Sequence, residues 1–285
     1  MIDENWFTEV AKGTIATSFK IKKLLHSEKS KWQQIEVLET EGVGKLLVLD
    51  GKTMVSDHDE FIYHESMVHV PSMVARKLKN VLVIGGGDGG IVRELTKYEE
   101  IESIDLCEID ERVVEVCKTF FPDCTRGLGD SRVEIHYRDG TEFIEGKKNH
   151  YDIIIIDSSD PDDIAGGLFT GEFYTSVFQS LTSEGIAVIQ TASPLIDNYG
   201  IKQIYHRLRA RFPIVESFLA PVLIYPGVLW SFAFASKKYH GTDINGQRVP
   251  FMERMQKDLL WYNMSWHKGA FALPNLHRKI TGVIE

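Results

Sequence analysis

Hydrophobic and polar positions change their period twice along this chain, and each change marks a different kind of structure. From Gly13 to about Asp50 short runs alternate. Gln34-Ile35-Glu36-Val37-Leu38-Glu39 sends every second side chain to one face, Gly42 and Gly44 punctuate, and Lys45-Leu46-Leu47-Val48-Leu49 follows before Asp50-Gly51. A period of two interrupted by glycines predicts a small antiparallel β module. From about 60 to 75 a helix is expected, with Ile62, Met67 and Val70 among its apolar residues and Pro71 as a break or kink. Beyond it, apolar runs and helical stretches take turns. Strands are predicted near 80 to 84, 103 to 108, 132 to 136, 151 to 156 and 186 to 190, with helices at about 90 to 98, 110 to 119, 140 to 146 and 171 to 182. Strand and helix in regular alternation build a largely parallel sheet. Two further runs, near 214 to 222 and 228 to 236, stand too close together for a crossover helix and predict an antiparallel hairpin at the sheet edge. No internal repeat, low-complexity tract or Pro-rich linker is visible, so the two parts are expected to pack tightly.

The first parallel strand, Val81-Leu82-Val83-Ile84, runs into Gly85-Gly86-Gly87-Asp88-Gly89-Gly90, and Glu108 ends the next strand. Glycines there permit backbone angles and close approaches that a side chain would forbid. Gly85, Gly87 and Gly90 satisfy the Gly-x-Gly-x-x-Gly spacing of dinucleotide enzymes, and Glu108 sits where a ribose-binding acid belongs, so a dehydrogenase enters consideration. Asp88 argues against it, because a carboxylate among those glycines repels a diphosphate and attracts an ammonium group.

Composition narrows the class further. At 285 residues, 43% hydrophobic and 26% charged, the chain can bury a full core. No apolar run reaches the length of a membrane span, and Met1-Ile2-Asp3-Glu4-Asn5 lacks the basic and apolar regions of a signal peptide, so the cytoplasm is the expected location and no membrane partner is called for. Cys107, Cys117 and Cys124 form no Cys-x-x-Cys pair and read as buried thiols; no metal is required. A net charge of -9 disfavours nucleic acid and suits a cationic small ligand if the acids converge.

They do converge along the sequence. Ligands of open parallel sheets bind beyond the carboxyl ends of the strands, and four successive predicted strands end in an acid: Asp88, Glu108, Asp139 with Gly140, and Asp157-Ser158-Ser159-Asp160-Pro161. One acid in such a place reads as a helix cap or turn residue. Four in register point to a ligand site. Glu108 is spaced to accept both ribose hydroxyls, and Asp139 could accept from an adenine amino group. Asp157 emerges from Tyr151-Asp152-Ile153-Ile154-Ile155-Ile156 with Asp160 three residues on, and two acids that close raise one another's proton affinity, giving one the character of a general base.

At these residues the chain resembles the polyamine aminopropyltransferases, the spermidine synthase family, over nearly its full length. The glycine turn with its embedded Asp, Glu108-Ile109-Asp110, Asp139-Gly140 and Asp157 through Pro161 match family blocks in order. So do Trp6-Phe7-Thr8-Glu9, Trp32-Gln33, Leu49-Asp50-Gly51, Asp59 through Glu65, Tyr225-Pro226-Gly227 and His267 through Pro274. The resemblance implies an α/β fold: a Rossmann-like, methyltransferase-type parallel sheet with an antiparallel edge hairpin over 57–285, preceded by an N-terminal antiparallel β domain over 1–56. It implies transfer of the aminopropyl group of decarboxylated S-adenosylmethionine, a co-substrate rather than a prosthetic group, to putrescine or a related amine, with release of methylthioadenosine. Carried over position by position, Asp157 is the base; Gln33, His64, Asp88, Glu108 and Asp139 bind the donor; Tyr63, Asp160 and Tyr225 hold the acceptor. A homodimer or homotetramer assembled through the N-terminal strands is also implied, and Leu46 and Val48 suit either such an interface or the module's own core.

The chain departs from the family pattern in the segment after Pro161, where Asp162-Asp163-Ile164-Ala165-Gly166-Gly167 replaces a small or apolar residue followed by Gly-Pro-Ala. Met54 stands where many members carry Gln, and Ala192 where some carry an acid that helps hold the far amine. These positions bear on the acceptor. Two alternatives remain beside aminopropyl transfer: a small-molecule methyltransferase using intact S-adenosylmethionine, and a polyamine-binding protein without activity. Asp88 with the Asp157 and Asp160 pair speaks against the first, since methyl transfer needs no ammonium anchor; retention of the base and donor acids speaks against the second.

Overall fold

The computed structural model describes residues 5–159 and 164–284; Asp160, Pro161, Asp162 and Asp163, singled out above, lie outside the described residues. Two sheets organise the chain. The first is antiparallel, in the order β1-β2-β3-β4-β5, from β1 (Trp6–Ala11), β2 (Ile15–Lys29), β3 (Gln34–Thr40), β4 (Lys45–Leu49) and β5 (Lys52–Ser56). β1 precedes the stretch in which strands were expected. The alternation of β3 is realised from Gln34 to Val37, with Ile35 and Val37 on one face entirely buried, and Leu38 is buried on the other. Leu46 and Val48 are fully buried in the central core, which settles their role in favour of packing.

Helix α1 (Glu60–Val74) joins the two sheets and is buried at every position from Tyr63 onward. The helix continues through Pro71 for one further turn, so of the break or kink expected there, no break occurs. A proline removes one hydrogen-bond donor from the ladder, and packing on all sides of α1 outweighs that loss. The second sheet has the order β11-β12-β10-β9-β6-β7-β8, built from β6 (Asn80–Gly85), β7 (Ser103–Glu108), β8 (Val133–Tyr137), β9 (Tyr151–Asp157), β10 (Leu181–Ala192), β11 (Ile214–Pro221) and β12 (Leu229–Ser236). β6 pairs in parallel with both β7 and β9, whereas β12 is antiparallel to β10 and β11. The edge hairpin is thus as predicted. Between the strands lie α2 (Gly90–Thr96), α3 (Glu111–Phe120), the short α4 (Pro122–Thr125), α5 (Gly140–Ile144), α6 (Gly171–Ser180) and α7 (Asn198–Arg209). α6 ends earlier and β10 begins earlier than expected. α7 was not anticipated, although Ile201, Ile204, Tyr205 and Leu208 have helical spacing and are buried. Nor were the closing helices α8 (Val249–Met255), α9 (Met264–Ala270) and α10 (Asn275–Ile280). Among the described residues no helix is long and apolar enough to cross a membrane.

Two features of this architecture place the site. The chain leaves β6 toward β7 and β8, then returns to lay β9 and β10 on the other side, so the strand order reverses between β6 and β9 and opens a crevice at their carboxyl ends. Across that crevice, Ile35, Val37, Leu47 and Val55 of the first sheet pack on Val113, Val116 and Cys117 of α3. That apolar contact holds the antiparallel sheet over the strand ends of the parallel one.

Candidate active site

A cavity of about 340 Å³ occupies the crevice, with walls drawn from both sheets. Its floor is the glycine turn. At Gly85, φ is +80° and an added Cβ would lie 1.9 Å from the carbonyl oxygen of Asp157, so β6 and β9 can approach here only without a side chain. The Gly86 N–H donates to that same carbonyl at 2.9 Å. Gly90 has another reason to be glycine. A Cβ there would stand 2.2 Å from the His64 ring, which lies directly against the turn.

On one side of the turn, Glu108 at the end of β7 accepts from the Gly87 N–H through Oε2 at 3.2 Å and from the Asp110 N–H through Oε1 at 2.9 Å. Burial raises its carboxyl to about 7, against the pull of these backbone donors. Asp110 caps α3 and also binds Ser30 and the Gln33 amide, at 2.6 and 3.0 Å, which fixes Gln33 of the β2–β3 turn at the cavity wall. Asp139, also in the wall, caps α5 by accepting from the Thr141 N–H and hydroxyl, both at 2.7 Å on Oδ1. Asp88 accepts from the Gly90 N–H at 2.7 Å and faces His64 Nε2 at 3.1 Å. The cap reading and the cavity reading therefore hold together: Asp88 and Asp139 close local turns and also line the crevice.

His64 is held between two carboxylates, with Nδ1 2.5 Å from Glu60 Oε2 and Nε2 3.1 Å from Asp88 Oδ1. Burial alone would lower its pKa; Asp88 and Glu60 outweigh burial and raise it to about 10. Asp88, despite its own burial, is held below the usual carboxylate range by His64 and the Gly90 N–H. Ligand atoms of His64, Asp88 and Asp157 lie within 4.8 Å of one another, as do those of Glu60, His64 and Cys124.

Asp157, the last residue of β9, accepts from the Tyr63 hydroxyl through Oδ1 at 2.6 Å, while its buried Oδ2 has no described hydrogen-bond partner. Burial, and after it the Asp88 carboxylate, push it up to about 7, with His64 and the Tyr63 hydroxyl pulling the other way. The sequence assigned the raising influence to Asp160, which lies outside the described residues; Asp88 from the neighbouring strand supplies one in the structure. Tyr63 meets Tyr225 edge to face at 5.8 Å, and the Tyr225 hydroxyl donates to the Met54 carbonyl at 2.9 Å, so position 54 contributes its backbone here.

Sequence reasoning missed several residues that the fold brings in. Glu9 of β1 is buried and accepts from the Thr53 N–H and hydroxyl at 2.9 and 2.7 Å. Asp197, the cap of α7, pairs with Lys12 of the β1–β2 turn at 3.1 Å. Glu9 and Asp197 line the same cavity as Ala192, Ser193 and Trp230. Trp230 keeps a buried ring N–H without a described partner, and Gln190 props Ser158 through its carbonyl at 2.8 Å. Glu9 falls in a motif block quoted above; Asp197 carried no local signal.

Residues 60–245 match the family model described as the spermine/spermidine synthase domain, and residues 5–57 match the spermidine synthase tetramerisation domain. A polyamine aminopropyltransferase of Alkaliphilus metalliredigens is 44% identical over 274 residues, covering 95% of this chain and 96% of its own. One from Lachnoclostridium phytofermentans is 40% identical over 285 residues, covering 99% and 100%. A crystal structure of spermidine synthase in complex with the transition state analogue AdoDATO superposes with a TM-score of 0.94 at 35% identity, over 99% of this chain and 97% of that one. Spermidine synthase from Thermotoga maritima superposes at 0.92 with 36% identity, over 98% and 94%.

Proposed function

The chain belongs to the spermine/spermidine synthase family and is a polyamine aminopropyltransferase; on that premise we propose that Asp157 is the base of the transfer, with decarboxylated S-adenosylmethionine as donor and putrescine as acceptor. In the reaction the amine nitrogen forms a bond to the carbon beside the sulfonium. The carbon–sulfur bond breaks, its electron pair returns to sulfur, and methylthioadenosine leaves. The acceptor's surplus proton must go elsewhere. An alkylammonium of lysine-like pKa, about 10.4, would give its proton to an ordinary aspartate at a cost of about 9 kcal/mol. To a carboxylate near 7, the value that burial gives Asp157, the same transfer costs about 4 to 5 kcal/mol. The observation that carries this reading is the carboxylate itself: one oxygen fixed by Tyr63, the other buried and without a described partner at the cavity.

Gln33, Glu108 and Asp139 hold the nucleoside, the carboxylates accepting from ribose hydroxyls and the adenine amino group. Asp88 and His64 face the aminopropyl tail, whose ammonium Asp88 attracts and whose missing carboxylate it would have repelled. Tyr63 and Tyr225 orient the attacking amine, and the family pattern gives Asp160 the acceptor's charge. Glu9, held by Thr53 in the cavity lining, meets the far ammonium. We read 1–56 as a β domain and 57–285 as the catalytic domain. The apolar Trp6, Val10, Ile15 and Leu24, exposed on β1 and β2, form an interface of a homotetramer.

The test is methylthioadenosine release from decarboxylated S-adenosylmethionine with a panel of amines. Putrescine is expected to turn over fastest, and Asp157→Asn to lose at least a hundredfold in kcat while retaining donor binding. Full turnover in Asp157→Asn would remove the base assignment.

A further inference from the structure

Behind the cavity wall runs a line of buried ionic contacts that the reaction chemistry leaves unused. Arg93 of α2 grips Glu60 with both terminal nitrogens, Nη1 to Oε1 at 2.7 Å and Nη2 to Oε2 at 2.8 Å, while its Nε binds Glu94 at 2.8 Å. Glu94 also takes Lys97 at 2.5 Å and His69 Nε2 at 3.0 Å, and His69 Nδ1 meets the Tyr98 hydroxyl at 2.9 Å. Glu60, in turn, uses Oε2 for both Arg93 and His64. Neither Glu60 nor Arg93 lines the cavity. The line reaches it only through the His64 imidazole, which touches Asp88.

We propose that Glu60, clamped by Arg93, is a positioning residue for aminopropyl transfer: it fixes the His64 ring between two carboxylates so that His64 serves as the resident counter-ion of Asp88. The inference rests on Asp157 being the base. Asp88 and Asp157 present carboxylate oxygens within 4.8 Å of His64 and of each other. Two carboxylates that close, with no cation beside them, drive a proton onto one of the pair. Asp157 is the member that takes it, since Asp88 is already held by the Gly90 N–H, and a protonated Asp157 accepts nothing from the amine. An imidazolium locked at this point offsets the repulsion and keeps Asp157 competent near neutral pH. Geometry enforces the lock from every side. The ring is covered by the Gly90 backbone and meets Tyr63 edge to face at 5.6 Å. The charged or titratable groups facing it are Glu60 and Tyr63 on α1, Asp88 on the turn, Asp157 on β9 and Cys124 on α4, with Arg93 reaching it through Glu60. The buried line is also balanced: His64, Arg93 and Lys97 face Asp88, Glu60 and Glu94. Glu60 itself is lowered to about 2, His64 and Arg93 outweighing its burial.

The experiment compares full-length wild type with Glu60→Gln, Glu60→Asp and Arg93→Lys, using the pH profile of kcat/KM for methylthioadenosine release and nitrogen NMR of histidine-labelled protein. In Glu60→Gln, His64 is expected to become neutral at pH 7, with the acid limb of the profile moved up by about one pH unit, a roughly fivefold loss at neutral pH that is recovered in alkali. Glu60→Asp restores part of both. A His64 still protonated in Glu60→Gln, or an unmoved acid limb, would overturn the inference. Should Glu60→Gln not fold, Arg93→Lys is judged by the same two readouts. The NMR signal reads His64 without turnover, so its failure is distinct from failure of the Asp157 assignment, which Asp157→Asn decides separately.

Discussion

Removing one oxygen, in Tyr63→Phe, gives the sharpest measure of how the base is tuned. The Tyr63 hydroxyl is the only described hydrogen-bond donor to the Asp157 carboxylate, at 2.6 Å, and the second carboxylate oxygen has no described partner. The ring keeps its contacts with Tyr225 and Phe232, at 5.8 and 5.4 Å, so the change acts on the hydrogen bond more than on packing. A bond from a neutral donor to a buried carboxylate is worth about 1.5 to 3 kcal/mol, which favours the ionised form. At 1.36 kcal/mol per unit, its loss raises Asp157 by about one to two units, from the value near 7 in the intact site. With wild type half ionised at pH 7, the variant retains roughly a tenth to a hundredth of its carboxylate, and kcat/KM falls roughly 5- to 50-fold. By pH 9.5 most of the deficit is gone. The assay is steady-state methylthioadenosine release from pH 6 to 10, read as the ratio of variant to wild type, in which the acceptor's own ionisation cancels. A ratio constant across pH would refute the argument, because it would mean that Tyr63 positions the amine without setting the base.

The same carboxylate has a cost in stability. A group raised from 3.8 to about 7 binds a proton more tightly folded than unfolded, so it penalises the fold increasingly as pH rises through that interval. Asp157→Asn is therefore expected to melt higher than wild type at pH 8 and alike at pH 4, and a lower melting point at pH 8 would count against the raised carboxyl. His64 has the same sign of pH dependence: raised from 6.5 to about 10, its favourable contribution is complete below 6.5 and lost as pH climbs toward 10. Denaturant midpoints of wild type should fall over that window more than those of His64→Gln. A donor carboxylate about 4 Å from Asp88 would be repelled by up to about 4 kcal/mol at an effective dielectric of 20. His64 offsets part of this, and Asp88→Asn is expected to narrow the preference for decarboxylated over intact S-adenosylmethionine at least tenfold, as measured by competitive binding. Glu9→Gln is expected to raise KM for the diamine roughly tenfold, the worth of one ionic hydrogen bond, with donor KM unchanged; an equal rise in both would assign Glu9 to the scaffold.

Periodicity carried the outline of this protein: the antiparallel module, the alternation of strand and helix, and the edge hairpin all follow from which side chains must leave water. Local chemistry carried the strand-end acids, since Asp88, Glu108, Asp139 and Asp157 each stand where a parallel strand meets its turn. Such signals are short-range and survive in a one-dimensional reading. Pro71 does not break α1, and α7 was passed over, because packing against distant elements, absent from any sequence window, overrode or completed the local preference. Tertiary structure alone decided the electrostatics. Asp88 and Asp157 are 69 residues apart in the chain and act on each other only because β6 and β9 are neighbours; His64 and Glu60 arrive from α1, Glu9 from another sheet and Gln33 from one of its turns. Coulomb energy and burial depend on distance in space, and the sequence specifies that distance only through the finished fold.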